Sequence, residues 1–581
     1  MISRRGFLTS TTAASAALLG SQWLLGIPDA VAKPVWPPPE VWDTLKAEVG
    51  GRLIMVESPL QACKDNLSGP YCATALENLQ NPFFNEDEPG ATQTTGWMDA
   101  WTAAVSPYAV AAESPQDVAA AVNFAREHGV RLVVKGTGHD YLGRSNAPDS
   151  LLIWTHNMRD VTVHDAFTIT GGTGEGVPAI SVGAGTRWLE AYVAATQHGR
   201  YVQGGGCTSV GAAGGFIQGS GFGSFSKRFG TGAAGVLEYE LVTADGKIVI
   251  ANEVQNADLF WALRGGGGGT FGVVTRATLL AHEIPTLVGF ATGSIRAHDD
   301  DAFRALIAEF VGFYPANLNN PHWGEQITLS EDNSMVLAMT FLDLTEADAR
   351  GAWQPFLDWV TARPDTYTTD VDFTARPFNT VWDAAWWEAN DPSFITLDPR
   401  PGQPTSQYWW SGNQGEVSQF IRTYQSRWLP IGSFDDQLAA ALFEASRHYH
   451  FTLHFNKGLS GADPDAIARS RATSVNPVAL DAAALLIAAS TEPHAYPGLP
   501  GHEPNLAEAR VRAAKIDAVM KTVRDATPGS GSYLNEADYF EPEWQPSFWG
   551  PNYPRLLDIK RKYDPDNIFR VHHGVGSEAG G

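Results

Sequence analysis

Gly204-Gly-Gly-Cys207-Thr-Ser-Val210-Gly-Ala-Ala-Gly-Gly215 sets one cysteine inside a glycine-rich run. Successive backbone N–H groups in such turns form anion-binding nests, which suits a pyrophosphate. Plain glycine turns between strands are the alternative. Upstream, Arg131-Leu-Val-Val-Lys135 reads as a buried strand that runs straight into Gly136-Thr137-Gly138-His139-Asp140. Downstream, Asp258-Leu-Phe-Trp261-Ala-Leu-Arg264 reads as a short helix opening into Gly265–Gly269, then the strand Phe271-Gly272-Val273-Val-Thr275. Glycine is dense from Gly171 to Gly272, as expected where backbone must approach something closely. No strand–GxGxxG–helix unit with an acid about 20 residues later is present, and no Walker A sequence.

The neighbouring elements complete an α/β block. Ala109-Val-Ala111 reads as a strand. Ser114-Pro-Gln-Asp117 caps a helix to about His128, closed by Gly129. Ala179–Gly183 is a strand, and Trp188–Gln197 a helix started at Thr186 and ended by Gly199. Leu237–Thr243 and Ile248–Ile250 flank Asp245-Gly246, a hairpin signal.

Near residue 286 the glycine runs stop and Trp becomes dense, at Trp382, Trp386, Trp387, Trp409, Trp410 and Trp428. Helices over Asp300–Phe313, Glu346–Val360, Glu416–Trp428 and Phe434–His448 alternate with strands over Gly324–Leu329, Met335–Leu342 and Tyr449–Asn456. This is the α+β pattern of a sheet with helices on one face. His448, His450 and His454 alternate, which puts two or more on one side of that last strand. A cleft wall or core is the reading we adopt for them; no metal centre is expected.

Composition bounds the function. At 581 residues the chain exceeds a single hydrophobic core. A net charge of −24 argues against nucleic acid and against an anionic membrane surface. Ser3-Arg4-Arg5-Gly6-Phe7-Leu8, an apolar run from Ala13 to Ile27, and Ala30-Val31-Ala32 form an export signal. The twin arginines point to the twin-arginine route, a general secretory signal being the plainer alternative. The expected location is secreted or periplasmic, with no membrane anchor. Cys63 and Cys72 are nine residues apart and able to bridge after export. Cys207 is then the odd cysteine, either occupied by some chemistry or an inert buried thiol.

The chain resembles the berberine-bridge-enzyme-like oxidases, a branch of the vanillyl-alcohol-oxidase flavoprotein family. The resemblance is carried by Lys135-Gly-Thr-Gly-His139-Asp140, Gly204-Gly-Gly-Cys207-Thr208-Ser-Val210-Gly211, Asp258 to Val274, Tyr533-Leu-Asn535, and Asn552-Tyr553-Pro-Arg555 leading to Asn567. It implies FAD bonded twice, by His139 to the 8α-methyl and by Cys207 to C6. Two bonds would raise the flavin potential and open one ring face to bulky substrates. It implies a PCMH-type FAD-binding domain over 96–285, with a signal over 1–32 and an N-terminal segment over 33–95. A substrate domain over 286–528 follows, an antiparallel sheet covered by helices, and then a C-terminal segment over 529–581 returning to the first domain. Gly136, Thr137, Gly138, Asp140, Gly206, Thr208, Gly211, Gly214, Gly215, Gly272, Val273, Asn552 and Tyr553 are expected around the cofactor. Val210 falls where relatives line the oxygen path, and its size favours oxidase behaviour. Tyr533 falls at a catalytic tyrosine, with Asn535 orienting; a tyrosine base needs its pKa lowered by a cation or by hydrogen bonds. Lys457 is a candidate for that cation and for substrate binding, with Trp549. Many relatives have Arg-Ser-Gly-Gly-His where this chain has Lys-Gly-Thr-Gly-His, and His454-Phe-Asn-Lys457-Gly resembles the alcohol-oxidase-like branch.

The expected activity is an FAD-dependent oxidase taking hydride from an alcohol or sugar hydroxyl and giving electrons to molecular oxygen, with hydrogen peroxide as product. The alternatives are an oxidative tailoring enzyme of a secondary metabolite, a dehydrogenase with another acceptor, and a flavin-bearing binding protein without turnover.

Overall fold

A computed structural model describes residues 36–578; the export signal over 1–32 lies outside them. Three sheets of four or more strands organise the described residues. In the first, Tyr108–Ala111 and Arg131–Lys135 each pair in parallel with Ser150–Trp154, and Leu53–Met55 adds an antiparallel edge. The crossover between the two outer parallel strands is the helix Pro115–His128. Ser114 and Asp117 form a reciprocal capping box, and Gly129 ends it at φ 62°. The helix buries Val118, Ala121, Val122 and Phe124 against the sheet.

The second sheet is antiparallel, in the order Ile248–Asn252, Val236–Val242, Val273–Glu283, Val177–Gly183, Val161–Phe167, with Arg200–Val202 on the end of Val273–Glu283. Its hairpin turns at Gly246, φ 75°. Helix Trp188–Gln197 spans the expected residues.

The third sheet has ten strands. Alternation along these strands divides its two faces. Ile295, Leu337, Met339, Phe341, Ile327 and Leu453 pack against helices Asp300–Asn317, Glu346–Thr361, Asp436–Ser446 and Leu506–Ala526. Their neighbours Phe290, Thr292, Ala338, Thr340, Gln326 and His454 face a cleft. One face of this sheet is therefore a helix-backed core and the other a binding wall. The fold is α+β, two smaller sheets joined to a helix-covered, largely antiparallel ten-stranded sheet.

Two expectations are corrected. Glu416–Trp428 is not a helix: Gln419–Pro430 is an interior strand, antiparallel to Ala482–Glu492 and parallel to Thr94–Trp97 from the N-terminal segment. Both its faces are buried, so its polar residues find partners instead of solvent. Gln425 donates to Asp517 at 2.7 Å, and the Ser426 and Ser532 hydroxyls lie 2.6 Å apart. That hides the two-residue period. The three histidines also do not share a strand face. The strand is only Phe451–His454; His448 and His450 precede it and are exposed, while His454 faces the cleft.

Cys63 and Cys72 form a disulfide, and Cys207 is free. Among the described residues no helix is long and apolar enough to cross a membrane, and no group of three or more His, Cys, Asp and Glu is arranged to hold a metal.

Candidate active site

A cleft of about 1060 Å³ lies between the glycine-rich loops and the open face of the ten-stranded sheet. This is at the upper end of the range for small-molecule sites. Its floor is the loop that leaves the carboxyl end of Arg131–Lys135, where open α/β sheets place ligands. Lys135 closes that strand from inside, donating to the carbonyls of Asn85, Glu88 and Ala91. Gly138 then turns at φ 83° and points His139 into the cleft.

Two contacts clamp the His139 loop to the Cys207 loop. Gly211 N–H donates to Thr137 Oγ1 at 3.1 Å. His139 Nε2 lies 2.9 Å from Ser209 Oγ. Ser209 also hydrogen-bonds Cys207, while burial pushes that thiol up to about 12. Asn413 Nδ2 lies 3.7 Å from Cys207 Sγ, and Trp410 Nε1 donates to Gly206 O at 2.7 Å.

The glycines form the cradle. A side chain added at Gly214 or Gly215 would meet no protein atom within 4 Å and would project into open space, whereas one at Gly268 would strike Gly215 Cα at 2.9 Å. Gly136, Thr137, Gly138, Asp140, Gly206, Val210, Gly211, Gly214, Gly215, Gly272 and Val273 all line the cleft. Asp140 is held by Arg144, whose Nε donates to it at 2.7 Å. Open glycine walls with a thiol and an imidazole on one surface fit a bulky dinucleotide.

Four expected residues are elsewhere. Asn552 Nδ2 donates to the Val475 carbonyl at 2.9 Å, and Tyr553 donates to Glu578 at 2.5 Å. Trp549 is fully buried and donates to the Gly265 carbonyl at 2.9 Å. Trp549 ties the C-terminal segment to the glycine loop, Asn552 ties it to the Ser474–Val475 backbone, Tyr553 bonds within the segment, and none of the three lines the cleft. Thr208 is buried beside Cys207, its carbonyl accepting from Leu189 N–H.

Tyr533, Asn535 and Lys457 do line it. Tyr533 Oη accepts from Gly221 N–H at 3.2 Å and Asn535 Nδ2 at 3.0 Å. Asn535 also reaches the Gly215 carbonyl at 3.3 Å, so it ties the tyrosine to the cradle. The phenol is nevertheless held well above its ordinary range: burial and Glu536 outweigh those hydrogen bonds. Lys457 does not relieve this, because its ammonium pairs with Glu536.

The sequence reading missed the acids. Glu416 faces the cleft and is open to it; the protein packed around the cleft raises its carboxyl, opposed by His139, Lys457 and Asn413. Glu325 is raised by burial too, against a hydrogen bond from Ser224, and its backbone stands at φ 64°. A non-glycine residue there is strained, as residues at functional sites often are. Desolvation keeps His454 neutral. None of these acids belongs to a short motif; only pairing of distant strands brings them to one wall.

A glycine cradle, a paired histidine and cysteine, and an acidic wall on a helix-backed sheet define a flavin-linked oxidoreductase site. The signature described as "FAD binding domain" matches residues 106–252, and that described as "Berberine and berberine like" matches residues 532–576. FAD-linked oxidoreductase ZEB1 of Gibberella zeae is 31% identical over 568 residues, covering 94% of this chain and 91% of its own. VAO-type flavoprotein oxidase VAO615 of Thermothelomyces thermophilus is 31% identical over 570 residues, covering 94% and 92%. The crystal structure of MtVAO615 from Myceliophthora thermophila C1 aligns at TM-score 0.76 and 27% identity, covering 94% of this chain and 97% of that one. The glucooligosaccharide oxidase of Acremonium strictum, studied for its 6-S-cysteinyl, 8α-N1-histidyl FAD, shares the fold at TM-score 0.66 and 18% identity, covering 92% and 99%. The chain belongs to the berberine-bridge-like, vanillyl-alcohol-oxidase-type family of FAD-linked oxidoreductases.

Proposed function

We propose that this protein is an exported oxidase that carries FAD on His139 and Cys207, takes hydride from an alcohol or sugar hydroxyl, and yields hydrogen peroxide. The observation that carries this reading is that His139 and Cys207, on two loops joined through Ser209 and Thr137, face one cleft. FAD supplies the hydride and oxygen chemistry. The protein binds, orients and moves protons.

Aromatic rings at Phe290, Phe394 and Trp410 line the cleft, backed by the buried Trp382 and Trp387, and offer apolar surface to a sugar or aromatic ring. Tyr533 has its oxygen occupied by two N–H donors, which leaves its own O–H to donate to the substrate and orient it. The substrate hydroxyl proton passes to Glu416, a cleft-lining carboxylate raised above its ordinary range by desolvation. Val210 is partly buried on the cleft wall, and its small side chain supports the reading that oxygen is the acceptor. Export by the twin-arginine route, which carries folded proteins, suits a protein loaded with cofactor before it leaves the cell.

The test is acid denaturation, digestion and mass spectrometry, followed by oxygen uptake on a panel of alcohols and sugars. Flavin-bearing peptides containing His139 and Cys207, with substrate-dependent peroxide, are the expected result. Flavin released intact by acid would sink the covalent reading; flavin reduction by substrate without oxygen uptake would make the protein a dehydrogenase.

A further inference from the structure

His139 has a second neighbour, from outside the glycine loops. Glu86 lies on the short helix Pro82–Asp87 in the N-terminal segment. Its side chain is 1% exposed, and Oε1 stands 3.7 Å from His139 Nε2. That oxygen has no hydrogen-bond partner within the protein. The other oxygen is held by Arg187 Nε. Arg187 is itself 2% exposed and is fixed by Asp87 Oδ1 at 2.9 Å and Gln407 Oε1 at 2.9 Å. A buried carboxylate is stable as an anion only when paired, and Arg187 provides that pair. One oxygen is thus anchored and the other is aimed at an imidazole.

We infer that Glu86 is the positioning residue for covalent attachment at His139. This rests on the reading that FAD is bonded to that histidine. With Nε2 turned toward Ser209 and Glu86, the ring proton is held on Nε2 and Nδ1 presents its lone pair to the cleft. Attachment forms the Nδ1–C8α bond as a C8α–H bond breaks. The C–H proton leaves to water, and its electron pair enters the isoalloxazine, which becomes two-electron reduced. The alkylated imidazole carries a positive charge beside Glu86 until it gives up the Nε2 proton. Molecular oxygen then takes the two electrons and two protons as hydrogen peroxide. Glu86 stabilises the cationic stage and does not touch the flavin itself.

The test is Glu86→Gln, produced without riboflavin and mixed as apoprotein with FAD. The quantity read is the rate at which flavin becomes linked to the His139 peptide, with the Cys207 peptide as internal control. Linkage at His139 is expected to slow about 10-fold or more, the usual cost of losing a group that orients a ligand from behind, while linkage at Cys207 persists. Persistence at Cys207 also shows that the cleft has folded. Should Glu86→Gln not fold, Glu86→Asp keeps the charge on Arg187 but draws it back from His139, and the same ratio is read. Wild-type linkage at His139 in either folded variant overturns the inference. Wild-type protein with no flavin on either peptide overturns the covalent reading beneath it.

Discussion

Ser209 Oγ sits 2.9 Å from His139 Nε2 and hydrogen-bonds Cys207 as well, so one hydroxyl joins two residues 68 positions apart in the chain (207 − 139). The two loops are held as one surface, and both side chains line the cleft.

His139→Ala and Cys207→Ala should therefore each leave one covalent bond. Only the double variant should release its FAD into acid. In-gel flavin fluorescence after acid precipitation reads this directly. Complete release from either single variant would show that the two attachments depend on each other.

Tyr533→Phe should lower the rate of flavin reduction about 10²-fold, the usual loss when a donor aimed at the reacting oxygen is removed. Asn535→Ala should have a smaller effect in the same direction, because the Gly221 N–H still holds the phenol. Anaerobic stopped-flow measures both. Unchanged reduction in Tyr533→Phe removes the residue from the reaction.

Glu416 carries a raised carboxyl and, as the proposed proton acceptor, acts only when ionised. Flavin reduction should rise with pH through that ionisation and then level. Glu416→Gln should abolish the rise and lower the plateau. An unchanged acid limb in Glu416→Gln would move the role to Glu325, whose carboxyl is likewise raised by burial.

Asp87 is held down at about 2 despite burial, by His156 first and then by Arg187 and Arg400. A carboxyl lowered on folding stabilises the fold above its ordinary 3.8 and loses that contribution as pH falls toward about 2. The contribution is about 2 kcal/mol at neutral pH. Urea denaturation of wild type and Asp87→Asn should differ at pH 6 and converge as pH falls to about 2. Arg187→Leu, which strands buried Glu86, should cost about 3–5 kcal/mol at neutral pH.

Much of the cofactor side was readable in the chain because it is local. The Ser114–Asp117 capping box, the Gly129 stop and the strand leading into Gly136-Thr-Gly138-His139 are decided within a few residues. Asn552, Tyr553 and Trp549 were placed at the site because they occur beside the cofactor motifs in order, while Trp549 and Asn552 bind the Gly265 and Ser474–Val475 backbone and Tyr553 binds Glu578. Burial with a partner leaves the same mark on a sequence as a binding role.

By itself the sequence determined the glycine cradle and the change of texture near residue 286, since each depends on backbone turns and short-range periodicity; His139 and Cys207 were singled out by the family resemblance. Tertiary structure alone decided which face of the ten-stranded sheet became the cleft wall, that Gln419–Pro430 is an interior strand, and that Glu86, Glu325 and Glu416 reach the site. The physical reason is that a carboxylate's role is set by which distant charges and hydrogen bonds surround it once buried. Those neighbours come from strands and loops far apart in the chain.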